Sequence, residues 1–334
     1  MITRRTFALA SAVALATPAL RAQTSEAQSP EAQTPEAQRV AEAMPQLHSL
    51  LVMRGDDTLI ERAPRGPGLD RPANIKSCSK SIVALLLGSV IDTADINGLD
   101  ATLADVAPDL IPANATEGVP DLTMEDLVTL RMGLDRTSGA NYGAWVASPD
   151  WIAYALTRDR VAENGGRMLY STGTTHVLGA ALAKATGDSL LALARTRLGT
   201  PLGIEIPPWT RDPQGYYFGG NEMALTPRAM LRLAQMVRDG GRWQDAQVIP
   251  EDWITASRQP RTRSPYSGLS YGLGWFLSDT GWMLARGYGG QIIAANTDAD
   301  LAVAITSDPT QPARSEGYFG DLMALLDGPI LSLA

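Results

Sequence analysis

Hydrophobic patterns typical of strands lie towards both ends of the chain. Near the N-terminal end, Ser49–Arg54 and Thr58–Arg62 flank Gly55-Asp-Asp57 and predict a β-hairpin. Near the C-terminal end, four more apolar runs predict strands, and a closing helix is predicted near Gly317–Leu326. Those four strands are Tyr271–Leu277, Gly281–Ala285, Gln291–Ala295 and Leu301–Thr306.

Between these regions, apolar residues recur at helical spacing and turn residues separate the runs. We expect a helix after Lys80 and five further helices: Leu122–Arg131, Trp151–Thr157, Thr174–Ala185, Leu190–Leu198 and Arg228–Asp239. Strands at both ends around a helical middle predict an α+β fold. Its antiparallel sheet would be built from both chain ends and flanked by helices, with a mainly helical insertion at about residues 90–240.

The first 40 residues have a different character. Arg4-Arg5 precede an apolar stretch that ends near Leu20, and residues 1–22 are typical of a Tat-type signal peptide. An uncleaved anchor is the alternative. Residues 23–40 repeat a Pro-Glu-Ala-Gln pattern, which predicts a disordered linker. Residues 41–334 would then form one folded domain, located in the periplasm or secreted.

Composition narrows the possible partners. The formal net charge is −8 and the pI is near 4.9, which argues against nucleic acid and against anionic membrane surfaces. No segment after the signal is long and apolar enough to predict stable membrane insertion. We find no metal-ligand spacing and no phosphate loop, and expect no cofactor. The oligomeric state is left open.

The lysines suggest the chemistry. The chain has 28 Lys+Arg but only three lysines, and two of them, Lys76 and Lys80, lie in the eight-residue run 74–81. Ser77 precedes Lys80 by three positions at the start of a helix, so both share one face. A lysine can lose its proton on burial, whereas an arginine stays charged. The spacing indicates a Ser-Lys nucleophile and base. Alternatively, Ser77 is a helix cap and Lys80 a solvated first-turn residue.

Two other nucleophile arrangements are possible. The single cysteine, Cys78, excludes an internal disulfide, and we interpret it as a small filler beside the nucleophile because no histidine is near in sequence. A Ser-His-Asp arrangement would need one of the two histidines, His48 or His176. His176 lies in a small, apolar run, which favours a packed histidine.

Residues 46–327 resemble the serine β-lactamase-like superfamily, above all its class C β-lactamase-related esterases and amide hydrolases of the 6-aminohexanoate-dimer hydrolase type. Ser77-Cys-Ser-Lys80 matches the S-x-x-K motif of that family, and Tyr170-Ser-Thr172 is similar to its Y-x-N motif. Tyr288-Gly-Gly290 occupies the place of K-T-G. Three further segments look like family landmarks: Asp126–Leu134, Leu225–Leu233, and Gly240–Trp243 with Pro250–Trp253.

Two positions depart from the family pattern. Thr172 replaces an asparagine, and Tyr288 replaces a lysine that would meet a carboxylate. The resemblance therefore implies an esterase or amidase for small substrates. The alternatives are a β-lactamase or D-alanyl peptidase (a penicillin-binding protein) and a non-catalytic muropeptide-binding module.

The resemblance also assigns roles to residues. Ser77 is the expected nucleophile, with Lys80 and Tyr170 as proton relays; cationic Lys80 would make the phenolate of Tyr170 accessible. The backbone N–H groups of Ser77 and Gln291 form the expected oxyanion hole. Substrate would contact Thr172, Tyr288, Gly289 and Gly290. Some of Tyr216, Tyr217 and Trp145 would also line the pocket, and a position in the core is the alternative for each of these aromatics.

Overall fold

The structure is a computed structural model that describes residues 30–334, with side chains from residue 35 onward. The strands, numbered β1–β12 in chain order, are Leu47–Arg54, Asp57–Arg62, Ala73–Asn74, Ala224–Leu225, Arg242–Trp243, Ala246–Gln247, Thr262–Arg263, Ser270–Tyr271, Phe276–Leu277, Met283–Gly287, Gln291–Asn296 and Leu301–Ser307. The helices, α1–α12, are Pro30–Ala43, Ser79–Asp92, Leu103–Val106, Met124–Val128, Tyr142–Val146, Trp151–Leu156, Thr172–Thr186, Leu190–Ala194, Thr200–Leu202, Pro227–Arg238, Glu251–Ser257 and Tyr318–Leu325.

One antiparallel sheet joins the two ends of the chain. Its eight strands run in the order β2-β1-β12-β11-β10-β9-β8-β7, so the N-terminal hairpin pairs directly with the last strand. The insertion between β2 and β7 is mainly helical, and α2 at its start packs against β10. The α+β fold predicted from the sequence is confirmed.

Both faces of the central strands are buried, and the alternation of side chains explains why their sequences are almost continuously apolar. Along β11 and β12, the alanines Ala295, Ala302 and Ala304 face the cluster that contains α2, α7 and α10. Larger residues such as Val303 and Ile305 face the opposite cluster, which contains α1 and α12. The alanines on the first face let α10 lie close to the sheet. On the other face, larger side chains fill the space between the sheet and its helices.

The predicted strand Tyr271–Leu277 is instead two short strands, β8 and β9, which form a hairpin. Gly272 donates its N–H to the carbonyl of Trp275 at 2.9 Å, and Gly274 has a φ of +79°. A glycine at positive φ turns the chain at little cost. The apolar pattern thus predicts the sheet correctly but does not reveal the turn within it.

The helix predicted for Leu122–Arg131 is shorter in the structure. Thr123 caps α4 with a reciprocal capping box to Asp126, and α4 ends at Val128. Leu130 then has a φ of +60°, which a helix cannot continue through. No single helix in residues 30–334 is long and apolar enough to cross a membrane, and Thr172–Thr186 with Leu190–Leu202 passes only as a pair bent by 85°.

The prediction of a disordered linker over residues 23–40 is wrong from residue 30 onward. Pro30–Ala43 forms α1, which packs against the sheet and the C-terminal segment. Ala37 and Ala41, four residues apart, lie on one face of this helix and are buried. Glu, Ala and Gln are good helix formers, and this docking face outweighs the two prolines. The predicted signal and residues 23–29 lie outside the described residues.

Candidate active site

Ser77 lies in a single 3₁₀ turn, Lys76–Cys78, that leads into α2. The preceding Lys76 has a φ of +51°, which costs a non-glycine residue about 1 kcal/mol. Asn74 offsets that strain because its side-chain oxygen accepts the Lys76 N–H at 2.9 Å. The backbone is thus held in an unusual conformation immediately before the serine. Ser77 makes no helix-capping bond, so the alternative of a simple N-cap does not describe it.

Lys80 lies in the first turn of α2, and every residue of that helix from Ser79 to Val90 is buried. Its amine therefore finds partners inside the protein. Its Nζ lies 3.2 Å from the hydroxyl oxygen of Ser77, 3.2 Å from the hydroxyl oxygen of Thr172 and 2.7 Å from the carbonyl oxygen of Gly220. The alternative of a solvated Lys80 is wrong, since its exposed fraction is 3%.

All three partners of Lys80 are neutral oxygens. Burial lowers the pKa of the Lys80 amine to about 7, and within residues 35–334 no carboxylate forms an ion pair with it. At neutral pH a large fraction of the amine is consequently unprotonated. Such an amine, 3.2 Å from a serine hydroxyl, can accept the proton of that hydroxyl.

Two further segments hold the acceptors of Lys80 in place. Thr172 begins α7, and its hydroxyl and N–H both bond to the Ser138 hydroxyl, at 2.9 Å and 2.8 Å. Gly220 lies just before β4, which pairs with β3 beside the Ser77 turn. Thr172, expected to contact substrate, is 4% exposed and instead positions the amine.

Glu222 ties the Gly220 segment to the Ser77 turn. Its carboxylate accepts from the Lys76 amine at 3.0 Å and from the Asn74 amide at 2.6 Å. The hydroxyl of Ser79 adds a third link, because it donates to the Lys76 carbonyl at 2.6 Å and accepts from the Met223 N–H at 3.3 Å. Ser77 and Lys80 therefore sit on one cross-linked unit.

Tyr170 lies two residues before α7 and faces both groups. Its ring centroid is 5.0 Å from the Lys80 amine, and its ring stacks on Phe276 at a centroid distance of 6.3 Å. The Ser77 hydroxyl in turn acts to lower the pKa of this phenol. The structure thus brings together the three residues that the sequence singled out.

The protonation of Tyr170 differs from the expectation. Burial raises the pKa of its phenol to about 12, and the Ser77 hydroxyl and the Arg286 charge only partly oppose that rise. The pKa of Lys80 is lowered to about 7, so a large fraction of its amine is uncharged at neutral pH and gives the phenolate little support. In the free protein Tyr170 is therefore a protonated phenol, suited to donating a proton rather than to acting as the first base.

Gln291, predicted to supply an oxyanion N–H, is the first residue of β11. Its buried side chain is fixed by two bonds to the Ser307 backbone, at 2.8 Å and 3.1 Å. Its carbonyl accepts from the Cys78 thiol at 3.4 Å, which places this strand against the Ser77 turn. Burial raises the pKa of the Cys78 thiol well above its usual range, so Cys78 is unsuited to act as a nucleophile.

The glycines of the third motif serve packing. Gly289 and Gly290 have φ values of +83° and +97°, and added Cβ atoms would meet Asp308 at 2.5 Å and Tyr318 at 2.4 Å. Gly287, which the sequence analysis did not single out, lets β10 approach the nucleophile turn. A Cβ there would lie 2.2 Å from the carbonyl oxygen of Ile75.

A cavity of about 440 Å³ opens beside Tyr170. Arg286, from β10, lines it between two aromatic rings, with its guanidinium 5.3 Å from the Phe276 centroid and 4.0 Å from the Phe319 centroid. Tyr288, expected to line the pocket, does not border this cavity and is 52% exposed. Tyr216, Tyr217 and Trp145 do not border it either.

His176 is a packed residue, as the sequence suggested. It is fully buried, and its Nε2 lies 2.9 Å from the Asp212 carboxylate while its Nδ1 accepts the Gly219 N–H at 3.2 Å. The acceptor role of Nδ1 places the proton on Nε2, so the ring is neutral. This imidazole supports the peptide next to Gly220 and is not near enough to Ser77 to bond it.

Similarity to known proteins agrees with this geometry. The family model described as Beta-lactamase matches residues 37–326. The chain belongs to the Beta-lactamase family. A 6-aminohexanoate-dimer hydrolase from Paenarthrobacter ureafaciens is 24% identical over 233 residues, which is 62% of this chain and 55% of that relative. The match thus spans about half the length of the curated relative. The superfamily suggested by the sequence is confirmed.

Solved structures share the fold. EstCE1, described as a hydrolase with promiscuous acyltransferase activity, superposes with a TM-score of 0.75 at 18% identity, covering 90% of this chain and 99% of EstCE1. A D-stereospecific amidohydrolase from Streptomyces gives a TM-score of 0.67 at 17% identity, covering 88% and 97%. At these identities the likeness concerns the architecture alone.

Several residues of the site were not predicted, among them Gly220, Ser138 and Arg286. Gly220 and Ser138 act through backbone or hydroxyl groups far from the motif in sequence, and only the Gly219-Gly220 pair hinted at a close approach. Arg286 carried a clearer signal, because a charged residue interrupts an otherwise apolar strand just before Tyr288.

Proposed function

We propose that the protein hydrolyses small esters or amides through an acyl-enzyme on Ser77. The observation that carries this proposal is the bond from the buried Lys80 amine to the Ser77 hydroxyl at 3.2 Å, with neutral oxygens as the other partners of the amine. In this arrangement Lys80 acts as a base at neutral pH and removes the proton of the Ser77 hydroxyl.

In acylation, Ser77 attacks the carbonyl carbon of the substrate while Lys80 takes the hydroxyl proton and becomes an ammonium. The backbone N–H groups of Ser77 and Gln291 stabilise the oxyanion of the tetrahedral intermediate. As the intermediate collapses, the bond to the leaving group breaks and Tyr170 donates its phenolic proton to that group. The ammonium of Lys80 then returns a proton to Tyr170. Both relays regain their starting protonation states, and the net result is transfer of the serine proton to the leaving group.

Deacylation runs the same relay in reverse. A water molecule attacks the acyl carbon as Tyr170 passes its phenolic proton to the neutral Lys80 amine and takes a proton from the water. The Lys80 ammonium then donates a proton to the Ser77 oxygen as the bond between that oxygen and the acyl carbon breaks. The product acid departs and the resting protonation states return. In each half-reaction Lys80 and Tyr170 each accept one proton and donate one.

The substrate class follows from two positions and from the relatives. Thr172 is turned towards Lys80, and Tyr288 lacks a cation, so neither offers the contacts that would hold a β-lactam amide and carboxylate. The named relatives include an amide hydrolase and a hydrolase with acyltransferase activity. These observations favour small esters and non-peptide amides.

The test is turnover of p-nitrophenyl esters of graded chain length by the wild type and the variants Ser77→Ala, Lys80→Ala and Tyr170→Phe. We expect the first two to lose about 10³-fold or more of kcat/KM, and the third to lose at least about tenfold. A fluorophosphonate probe should label the wild type and not Ser77→Ala. Wild-type activity in Ser77→Ala would overturn the proposal.

The same samples separate the alternatives. Nitrocefin turnover or stable labelling by a fluorescent penicillin would favour a β-lactamase or D-alanyl peptidase. Failure of both the esters and the fluorophosphonate probe would favour a non-catalytic muropeptide-binding module. We also propose Tat-dependent export to the periplasm or medium, supported by Arg4-Arg5 and the apolar stretch after them. Retention of the protein in the cytoplasm of a Tat-competent host would contradict it.

A further inference from the structure

We infer that Arg286 binds a carboxylate of the substrate, so that the preferred substrates are small esters or amides that carry an aliphatic carboxylate. This inference rests on the proposed function, because it concerns the cavity that adjoins the proposed proton relay Tyr170. The observation behind it is a guanidinium that lines a cavity beside Tyr170 without a counter-charge.

Arg286 is unusual among the partly buried cations of this protein. Arg131, Arg158 and Arg238 each form an ion pair with a carboxylate. Within residues 35–334, no carboxylate forms an ion pair with Arg286, and its guanidinium lies against the faces of Phe276 and Phe319. Desolvation without a partner lowers the pKa of its guanidinium to about 10. Charged groups removed from water without a partner are costly, and an anionic ligand would offset that cost.

The charges around the cavity suit a monoanion. Arg286 and Arg314 line it together with one carboxylate, that of Glu316, which leaves one net positive charge. A phosphate monoester carries close to two negative charges at neutral pH and would face Glu316 with only one net positive charge to balance it. A carboxylate matches both the charge and the two-pronged geometry of the guanidinium.

The rest of the cavity suits an aliphatic chain. The rings of Phe276, Phe319 and Tyr170 form much of its wall, and its volume of about 440 Å³ lies in the range of small-molecule sites. Tyr170 borders both this cavity and the Lys80 amine. A chain that lies along these rings with its carboxylate at Arg286 would therefore bring its other end to Tyr170.

Arg286 also changes what the replacement of the family's lysine by Tyr288 implies for anion binding. The loss of a lysine at position 288 suggested weaker binding of anionic substrates. Arg286 lies on the same strand-turn unit, two residues earlier, and its cation lines the cavity that Tyr288 does not reach. Recognition of an anion is thus retained, from a different position and next to an apolar wall.

Binding can be measured without any turnover. Isothermal titration of the full-length protein with hexanoate and with hexanamide compares a carboxylate with a neutral ligand of the same length. We expect hexanoate to bind at least about tenfold more tightly to the wild type, and Arg286→Met to remove that preference. Equal binding of the two ligands by the wild type would overturn the inference, whatever the variants do.

Two variants control for folding and for general electrostatics. Arg286→Lys keeps a cation between the two rings and should retain part of the preference for hexanoate, even if Arg286→Met proves unstable. Arg314→Met removes the other arginine of the same cavity and should change the preference less than about threefold, because that side chain is exposed and screened. An equal effect of Arg314→Met and Arg286→Met would contradict a specific site at Arg286.

Hydrolysis then connects the subsite to the reaction. The matched substrates are p-nitrophenyl hydrogen adipate and its methyl ester, with the linear dimer of 6-aminohexanoate as the case in which the leaving group carries the carboxylate. A wild-type preference for a free acid that is lost in Arg286→Met supports the inference. Selective hexanoate binding without hydrolysis would refute the proposed function alone, whereas hydrolysis without any preference for the acids would refute the inference alone.

Discussion

Two lysines four residues apart, Lys76 and Lys80, have opposite surroundings. The amine of Lys76 forms an ion pair with Glu222 at 3.0 Å, and its side chain is 22% exposed. The amine of Lys80 is buried, and its three partners are neutral oxygens. Both residues flank Ser77, yet only one of them is deprived of a counter-charge.

The difference shows how one short motif supplies both a support and a base. The ion pair of Lys76 with Glu222 ties the strained Ser77 turn to the Gly220 segment. Within residues 35–334, Lys80 forms no ion pair, and burial favours the neutral form of its amine. Two lysines that look alike in the sequence are therefore expected to respond differently to substitution.

The largest expected effect is that of replacing Lys80. Lys80→Met removes the base, and Lys80→Arg replaces it with a group that stays protonated. We expect both variants to lose about 10³-fold or more of kcat/KM on p-nitrophenyl esters. Lys184→Met, at an exposed lysine far from Ser77 in sequence, is the control and should retain activity. Substantial activity in Lys80→Arg would show that a neutral amine is not required.

The second prediction concerns pH. Only the unprotonated amine of Lys80 can accept the serine proton, and its pKa is lowered to about 7. Activity should therefore rise with pH through about 7, and kcat/KM at pH 5 should be roughly 100-fold below its plateau. Lys76→Met should leave the midpoint of this rise unchanged within about half a unit. A flat profile between pH 5 and 8 would place the base elsewhere.

The third prediction sharpens the role of the neutral acceptors around Lys80. His176→Gln weakens the support of the Gly219 N–H and so loosens the Gly220 carbonyl that holds the amine. We expect kcat to fall about tenfold and the midpoint of the pH profile to shift, since a displaced amine has a changed environment. The thermal stability should be recorded in parallel. A loss of stability with kcat and midpoint intact would limit His176 to a structural role.

The smallest effect is expected at Lys76. Lys76→Met breaks the partly exposed pair with Glu222 but leaves the Lys76 N–H bond to Asn74 in place. Such a pair contributes about 1 kcal/mol or less, so kcat/KM should fall less than about tenfold. Glu222→Gln removes the same ion pair from the other side and should give a similar value. A loss as large as that of Lys80→Met would mean that the two lysines share the catalytic role.

The sequence predicted the parts of the fold that depend on local pattern. Apolar alternation located the hairpin and the C-terminal strands, and strand placement at both ends implied one shared sheet. It failed where tertiary contacts decide the outcome. The Pro-containing segment before Ala41 was expected to be disordered, but Ala37 and Ala41 dock against the core. The turn at Gly274 was hidden because apolar residues continue on both sides of it.

The site was predictable where spacing within one helix turn sets the geometry, as for Ser77 and Lys80. Tyr170 required the resemblance to a family, because its approach to Lys80 depends on the packing of α7 against α2. The low pKa of Lys80 and the high pKa of Tyr170 could not be read from sequence. They follow from burial and from which oxygens surround each group.

The most direct test of the account is the pKa of the Lys80 amine itself. The chain has three lysines, so ¹³C labelling at the lysine ε-carbon should yield three NMR signals. The account predicts that one signal titrates near pH 7 and disappears in Lys80→Met. If the signal lost in that variant titrates instead near 10.4, the ordinary value for lysine, the amine is charged at neutral pH and cannot be the base.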